Sequence, residues 1–353
     1  MARPRIDVAV IGGGPAGSVL AHRIAVGGAN VVIFDPSHPR EKPCGGGISA
    51  RARVMFPELE ELVPEGRTGT GLRLVSPSGR LTQVSGSGET FAIDRETLDH
   101  GLLKRAIDAG AEHRAEKVID CEETSDGWLM LTSSGEYSAR LIVGADGVFS
   151  VVRHKTIGAI PKQHLGFGAH MLVEDLNPPS ALLQFFGDRR GYAWVFNRKR
   201  LSSIGVGMPM LKRSGWRKTL LKFAAEQAPG CNPGRITGWC LPQASSEDAY
   251  ESSLSGDNWL LVGDAAGHAD PFTGEGIIYA MWGAEIAARC ILEGRSDQYD
   301  DQWREAFYSR LLKHLKMAAM LEKKFTLEAI LATGRLPILG KWLYETLISP
   351  PKK

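Results

Sequence analysis

Ile6-Asp7-Val8-Ala9-Val10-Ile11-Gly12-Gly13-Gly14-Pro15-Ala16-Gly17 is the stretch that decides the fold. The apolar run Ile6 to Ile11 predicts a short buried strand, and the glycines after it lead into a helical pattern with Val19, Leu20, Ile24 and Ala25 on one side. A second apolar run, Val31 to Phe34, ends in Asp35, 18 residues beyond Gly17. Strand, glycine turn, helix and strand make the first βαβ unit of a dinucleotide-binding sheet. In Gly12-x-Gly14-x-x-Gly17, the first glycine permits the tight turn, the second lets backbone approach a pyrophosphate, and the third allows close strand–helix packing. Pro15 and Ala16 open the helix, whose free N–H groups and positive dipole end face the phosphates. Asp35 stands where an acid accepts hydrogen bonds from ribose hydroxyls. The fingerprint alone does not say which dinucleotide is bound.

Outward from this unit, Pro36 to Ser49 is a loop rich in Pro and Gly. Leu72–Val75 and Leu81–Val84 flank the turn Ser76-Pro77-Ser78-Gly79, a predicted hairpin. Arg95 to Ala109 reads as a helix. Short strands follow, ending at Leu141-Ile142-Val143 before Gly144-Ala145-Asp146-Gly147. Leu165 to Pro209 is strand-rich, and Trp216 to Gln227 is helical. Trp259 to Val262 is another apolar strand, followed by Gly263-Asp264-Ala265-Ala266-Gly267. A long helix is expected from Glu275 to Glu293, then a mainly helical tail beyond Asp300.

At 353 residues the chain exceeds the size at which one core usually keeps growing, so two lobes are expected. An apolar fraction of 43% and a charged fraction of 23% are those of an ordinary soluble globular protein. A net charge of +2, without a basic stripe or binding motif, does not point to nucleic acid. The five cysteines, Cys44, Cys121, Cys231, Cys240 and Cys290, are scattered and form no CxxC pair, which argues against a disulfide framework or a metal site and for a reducing compartment. The N-terminus shows no signal-peptide pattern, and no apolar run is long enough to span a bilayer.

Two further motifs narrow the cofactor. Gly144-Ala145-Asp146-Gly147 resembles the GDG segment of the flavin hydroxylase class, and Gly263-Asp264 in its Trp259-Leu260-Leu261-Val262 context resembles the GD motif of that class. Together with the first fingerprint, the resemblance implies FAD, with Asp146, Gly263 and Asp264 at the cofactor. The helix after Gly274, Gly276 and Ile277 would aim its positive end at the flavin. Arg95 would contact FAD from a helix start.

Over nearly its whole length the chain resembles the geranylgeranyl reductase family. Pro43-Cys44-Gly45-Gly46-Gly47 looks like that family's glycine-rich loop beside the isoalloxazine. Gly191-Tyr192-Ala193-Trp194-Val195-Phe196 resembles its YxWxFP motif, and Asp270-Pro271-Phe272-Thr273-Gly274-Glu275-Gly276-Ile277 its NPxTGxGI stretch. Asn197 stands where the family usually has proline, and Asp270 where Asn is common. The resemblance implies an α/β fold: a Rossmann-like FAD-binding domain of the glutathione reductase type (1–70, 90–160 and 255–295), interleaved with an antiparallel-sheet substrate domain (71–89 and 161–254), plus a helical C-terminal region (296–353). It further implies hydride transfer from reduced FAD to an isoprenoid double bond, on a lipid or a prenyl diphosphate. Cys44 is expected as the proton donor or a substrate-positioning group, with Tyr192 its competitor and Glu275 a lesser candidate, and Tyr192, Trp194 and Phe196 would line an apolar channel. The electron donor would be NAD(P)H or ferredoxin, since no second dinucleotide fingerprint is present. From Arg310 to Lys353 the tail carries nine Lys/Arg against three Glu among apolar residues, a pattern that suits an anionic membrane surface. The expected location is the cytoplasm, free or peripheral on the inner face of the cell membrane. The competing reading is an FAD monooxygenase or halogenase, which shares the fold and both GD-type motifs.

Overall fold

The computed structural model describes residues 5–174, 176, 178–230, 234–320 and 322–348. Cys231, and Lys352 and Lys353 of the basic tail, lie outside these residues. The chain divides into two units: the first holds the residues up to Arg40, Leu98–His164 and Leu241–Leu315, and the second Glu41–Thr97, Leu165–Cys240 and the chain from Lys316 onward.

The first unit is organised by a mostly parallel sheet. Its centre is Ile6–Ile11, paired in parallel with Val31–Phe34 on one side and Gly135–Gly144 on the other. Trp259–Leu261 adds in parallel beyond Gly135–Gly144, and Glu112–Arg114 beyond Val31–Phe34. Val10 thus sits between Ile33 and Val143, and Ile11 between Phe34 and Gly144. The central run Val8–Ile11 and its neighbour Val31–Phe34 are apolar without alternation because a parallel sheet covered on both faces buries every side chain; all four residues of Val31–Phe34 are buried. The helices Pro15–Val26 and Ile277–Leu292 pack against each other. The second is buried around most of its circumference, as befits a core helix rather than a surface one. An antiparallel hairpin, Val118–Thr124 with Gly127–Thr132, joins Gly135–Gly144.

The second unit is built on an eight-stranded sheet in the order Thr237–Pro242, Leu165–Glu174, Leu201–Pro209, Tyr192–Asn197, Ala181–Phe185, Arg67–Val75, Leu81–Ala92 and Gly47–Ile48. Its core combines Ala169, Met171, Val195, Ile204 and Val206 from the strands with Leu220 and Phe223 of the helix Trp216–Gln227. The helix Pro337–Ile348 lies on the strand Leu81–Ala92. There the Tyr344 ring is fully buried, and a β-carbon at Gly86 would lie only 2.5 Å from it. In the neighbouring helix Lys324–Thr333, the Leu331 carbonyl accepts a hydrogen bond from Thr82 at 2.8 Å. No helix among the described residues is long and apolar enough to cross a membrane.

The observed partition departs from the expected boundaries at residues 41–70, 90–97, 161–164 and 241–254 and in the tail. Residues 41–70 and 90–97 group with the second unit because Gly47–Ile48 and Arg67–Val75 both hydrogen-bond to Leu81–Ala92. The tail is split after Leu315 instead of forming a region of its own. The hairpin strands also run further than the apolar residues suggest, through the polar stretches Arg67–Gly71 and Ser85–Thr90.

Truncating Tyr344 to Ala should cost about 3–5 kcal/mol, the usual penalty for emptying a large aromatic site. It should lower the midpoint of thermal unfolding measurably, and an unchanged midpoint would count against this docking of the terminal helix.

Candidate functional site

In the first unit the parallel register brings the three motif turns to one edge of one sheet, because each follows the C-terminal end of a parallel strand. Gly12 has φ +102°, and a β-carbon there would sit 2.5 Å from the Ala145 carbonyl oxygen. Hydrogen bonds tie each turn to the neighbouring strand, Gly12 N donating to Phe34 O at 2.9 Å and Ala145 N to Ile11 O at 2.8 Å. At Gly17 a β-carbon would lie 1.9 Å from the Gly12 carbonyl oxygen, so the helix Pro15–Val26 approaches its strand as closely as backbone allows. That helix opens from an extended Gly14 with no side-chain cap, leaving its first N–H groups for a ligand. Arg40 Nη2 would be 3.5 Å from a β-carbon at Gly14 and is itself 3.6 Å from Asp99.

Asp35 is buried and accepts from Gly13 N at 2.7 Å and from Ser37 N at 2.8 Å. His38 Nε2 stands 3.5 Å from the same carboxylate. Burial pushes the Asp35 carboxyl up, but the His38, Ser37 and Gly13 donors outweigh it and hold the group well below the usual carboxylate range. It is therefore an anion, ready to accept from hydroxyls.

Asp146 is tuned the other way. Its Oδ2 accepts from Val151 N at 2.8 Å, while Oδ1 has no partner among the described residues. Burial pushes its carboxyl up to about 6. Gly263, at φ +61°, seats the third turn against the first, since a β-carbon there would lie 2.9 Å from that of Ala16. Asp264 Oδ1 would be 3.7 Å from a β-carbon at Gly276, the residue that caps the helix Ile277–Leu292. Gly274, at φ +75°, closes the loop before this helix: its N–H donates to Asp270 O at 2.9 Å, and Asp270 N donates to Glu275 O at 2.9 Å.

The Asp270 side chain holds the same loop from inside. It is buried and accepts from Phe272 N at 2.9 Å, Thr273 N at 3.0 Å and the Tyr279 hydroxyl at 3.2 Å, with His314 Nδ1 at 2.5 Å. Burial would push this carboxyl up, but the His314 contact offsets that and leaves it lowered. The aspartate in place of the family's usual Asn thus has a partner 44 positions away.

In the second unit, Cys44 is half-buried and its Sγ accepts from Gly46 N at 3.3 Å. β-carbons at Gly45 and Gly47 would lie 2.7 and 2.6 Å from the Phe196 ring, so the loop can rest on Phe196 only because both positions lack side chains. Gly46, at φ +75°, has the Ile93 carbonyl in the space a side chain would need. Arg95 is buried at the start of its helix, and its N–H donates to Glu41 at 3.1 Å. Tyr192, Trp194 and Phe196 share one face of a strand. Tyr192 is half-buried between Phe185 and Trp194, with ring centroids 6.0 and 6.2 Å apart. Trp194 is buried over Gly205 and its Nε1 donates to Ser203 at 3.1 Å, so its indole belongs to the packed sheet and Tyr192 is the more open ring of the pair.

The candidates therefore fall into two groups. Gly12, Gly14, Pro15, Ala16, Gly17, Asp35, Asp146, Gly263, Asp264, Gly274, Gly276 and Ile277 belong to the first unit, and Cys44, Gly45, Gly46, Gly47, Arg95, Tyr192, Trp194 and Phe196 to the second. Sequence reasoning missed His38 and Arg40, which follow Asp35 in the same turn region, and His314, Arg198 and Ser203. Arg40 had a local signal, lying just past Asp35; His314 had none, since only the fold brings it to Asp270. Among the described residues no group of three acidic, His or Cys side chains is placed to hold a metal ion. The donor set of the first unit fits a dinucleotide such as FAD: side-chain-free turns for the pyrophosphate, ionised Asp35 for a ribose, and an unpartnered Asp146 oxygen for a hydroxyl.

Comparison with known proteins gives the same direction. The family model described as lycopene cyclase protein matches residues 7–174. Digeranylgeranylglycerophospholipid reductase 1 of Methanopyrus kandleri is 31% identical, covering 89% of this chain and 90% of that protein. Geranylgeranyl diphosphate reductase of Rhodobacter capsulatus is also 31% identical, covering 82% of this chain and 75% of that protein. A geranylgeranyl bacteriochlorophyll reductase-like structure from Thermoplasma acidophilum superposes with a TM-score of 0.80 at 18% identity, covering 97% of this chain and 96% of its own.

Raised from an ordinary value near 3.8 to about 6, the Asp146 carboxyl binds its proton more tightly folded than unfolded. Its contribution to stability is therefore full below pH 3.8 and lost as pH rises through about 6. In the FAD-free protein, Asp146→Asn should be more stable than the native chain by about 1–3 kcal/mol at pH 7.5. The difference should shrink towards pH 4, and thermal unfolding across this range checks it. The same variant should bind FAD more weakly.

Proposed function

We infer that this chain, which belongs to the geranylgeranyl reductase family, uses FAD to saturate carbon–carbon double bonds of isoprenoid chains. The observation that carries the reading is the 31% identity to reductases of this class over most of both chains, supported by side-chain-free turns and an ionised Asp35 suited to a dinucleotide. FAD supplies the hydride when bound and reduced. In this reading the turn Gly12–Gly17 and Arg40 hold its pyrophosphate, Asp35 its ribose, and Asp146 and Asp264 its hydroxyls, within a Rossmann-like domain of the glutathione reductase type. The N-terminal end of Ile277–Leu292 offers positive potential to a ring that gains negative charge.

An isolated trisubstituted alkene has no carbonyl to hold developing negative charge, so the chain must deliver a proton to the other carbon in a dry, apolar setting. Cys44 is assigned as the donor, with Tyr192 as its competitor, and Tyr192 and Phe196 as apolar lining for the substrate chain. The electron donor, NAD(P)H or ferredoxin, acts without a fixed dinucleotide site of its own, because the one fingerprint is taken by FAD. A monooxygenase or halogenase reading has less behind it, since the relatives with the higher identity are reductases.

The substrate's setting is read from the tail. Phe325 and Ile338 are 87% and 83% exposed, and Leu336, Leu339 and Trp342 are exposed beside them in sequence, among Lys323, Lys324, Arg335 and Lys341. Apolar side chains left in water beside cations suit the interface of an anionic bilayer. The chain is thus proposed to act from the cytoplasm on the inner face of the cell membrane, on a lipid-borne isoprenoid.

Three experiments check this. Under anaerobic conditions, the dithionite-reduced holoprotein should be reoxidised by a geranylgeranylated lipid, giving products heavier by two hydrogens per step. A flavin that stays reduced until oxygen enters, and then yields oxygenated product, would transfer the reading to a monooxygenase. Cys44→Ala should lower kcat by about 100-fold, within the usual range for a lost proton donor; full turnover would remove Cys44 from that role. Separately, Trp342→Asp and Ile338→Asp should abolish co-sedimentation with phosphatidylglycerol vesicles without changing turnover of a detergent-dispersed substrate, and unaltered binding would sink the membrane assignment.

A further inference from the structure

A buried cation under the Cys44 loop has no part in the chemistry above. Arg198 follows the strand Tyr192–Asn197, and its side chain is wholly buried. Its Nη2 donates to the Cys44 carbonyl at 2.7 Å, and its Nε is directed at the Gly45 carbonyl at 3.4 Å. Its Nη1 meets Glu41 at 2.8 Å and Asp94 at 3.0 Å. The Ser203 hydroxyl, from the strand Leu201–Pro209, donates to the same Cys44 carbonyl at 3.0 Å. Ser203 in turn accepts from Trp194 Nε1 at 3.1 Å, with His170 Nδ1 also at 3.1 Å. Burial, together with the nearby Arg198 charge, lowers His170 to about 4, so this imidazole is neutral.

The arrangement has two features that a plain salt bridge lacks. First, two carboxylates balance the guanidinium, so the loop sees little net positive charge; what remains is direction, the planar fork binding the carbonyls of two successive residues at once. Second, the Cys44 carbonyl takes one donor from Arg198 and another from Ser203, on different segments of the sheet. A carbonyl held from two directions fixes the peptide plane, and hence the orientation of the residue that carries the thiol. Glycines at the three following positions leave this loop with little stiffness of its own, so the grip must come from outside it.

We propose that Arg198, assisted by Ser203, is the positioning residue of the Cys44 loop, acting through the Cys44 and Gly45 carbonyls rather than by touching substrate. The proposal rests on the reading of this loop as a reaction site. It is tested in the full-length FAD-loaded protein with Arg198→Lys, Arg198→Met and Ser203→Ala. The first readout is the rate of Cys44 alkylation by iodoacetamide, mapped by peptide mass; buried Cys121, whose thiol is pushed up to about 12 by burial, is the internal control. The second is kcat against KM for the geranylgeranylated substrate.

Arg198→Lys keeps the charge and loses the fork. It should change the Cys44 alkylation rate about fivefold or more and lower kcat about tenfold or more, with KM nearly unchanged, because a small misplacement of a reacting group costs rate rather than affinity. Ser203→Ala should move both readouts in the same direction by less, and it decides the question if the Arg198 variants do not fold. Alkylation and kcat within about twofold of native in Arg198→Lys and Ser203→Ala would overturn the proposal. So would a lysine that restores what methionine loses, since charge alone would then suffice. If alkylation shifts as expected while Cys44→Ala retains full turnover, the positioning role stands and the proton-donor assignment falls.

Discussion

The parallel pairing of Ile6–Ile11 with Val31–Phe34 and Gly135–Gly144 is the constraint on which the cofactor half depends. Parallel strands all end at the same edge, so a turn that follows one must lie beside the turns that follow its neighbours. Gly12, Asp35, Ala145 and Gly263 are brought within reach of one another by that register and by nothing in their own chemistry. Once there, space becomes the limit. The Gly12 and Gly17 positions admit no side chain because backbone from Ala145 and from Gly12 itself occupies the volume. The same crowding that forbids a β-carbon brings the uncapped start of Pro15–Val26 and the carboxylates to one edge of the sheet. The two acids of this edge are then driven apart by their surroundings, Asp35 downward by its donors and Asp146 upward by burial.

In the second unit the corresponding constraint is the aromatic strand beneath the glycines. Phe196 supplies a flat surface, and Gly45 and Gly47 are the residues that allow backbone to lie on it. The conformational freedom of such a loop is a cost, because an unrestrained run of glycines samples many orientations of the cysteine before it. Arg198 and Ser203 offset that cost by binding carbonyls that the sheet leaves unpaired. The alternation of Tyr192, Trp194 and Phe196 along one strand therefore divides into three tasks: an open ring, a packed ring that orders Ser203, and a platform for the loop.

Much of this was legible in the sequence where the signal is local. Ile6–Ile11, Val31–Phe34 and Trp216–Gln227 lie at the positions that apolar runs and helical spacing predict, and the order strand, glycine, acid marks all three turns. Boundaries were lost where polarity hides a strand: Thr68, Gly69 and Gly71 carry no apolar period, yet ladder hydrogen bonds to Leu81–Ala92 hold them extended. The grouping of Glu41–Thr97 with the substrate-side sheet was hidden for the same reason. Residues whose partners lie far along the chain were invisible. Arg198 carries no sequence signal, and only the fold shows that it is buried with its guanidinium on the Cys44 carbonyl.

The Asp270–His314 pair illustrates what such a long-range contact imposes on the chain. The two residues are adjacent only in the folded molecule, and each is buried. Replacing the carboxylate by an amide gives the His314 ring a neutral acceptor, and replacing the imidazole leaves the buried Asp270 anion with only its Phe272, Thr273 and Tyr279 donors. Either change alone therefore alters the surroundings of the other residue, so a substitution at one position bears on the other. The loop before Ile277–Leu292 and the helix that carries His314 are in this sense held as one unit, linked across 44 residues by a single side-chain contact.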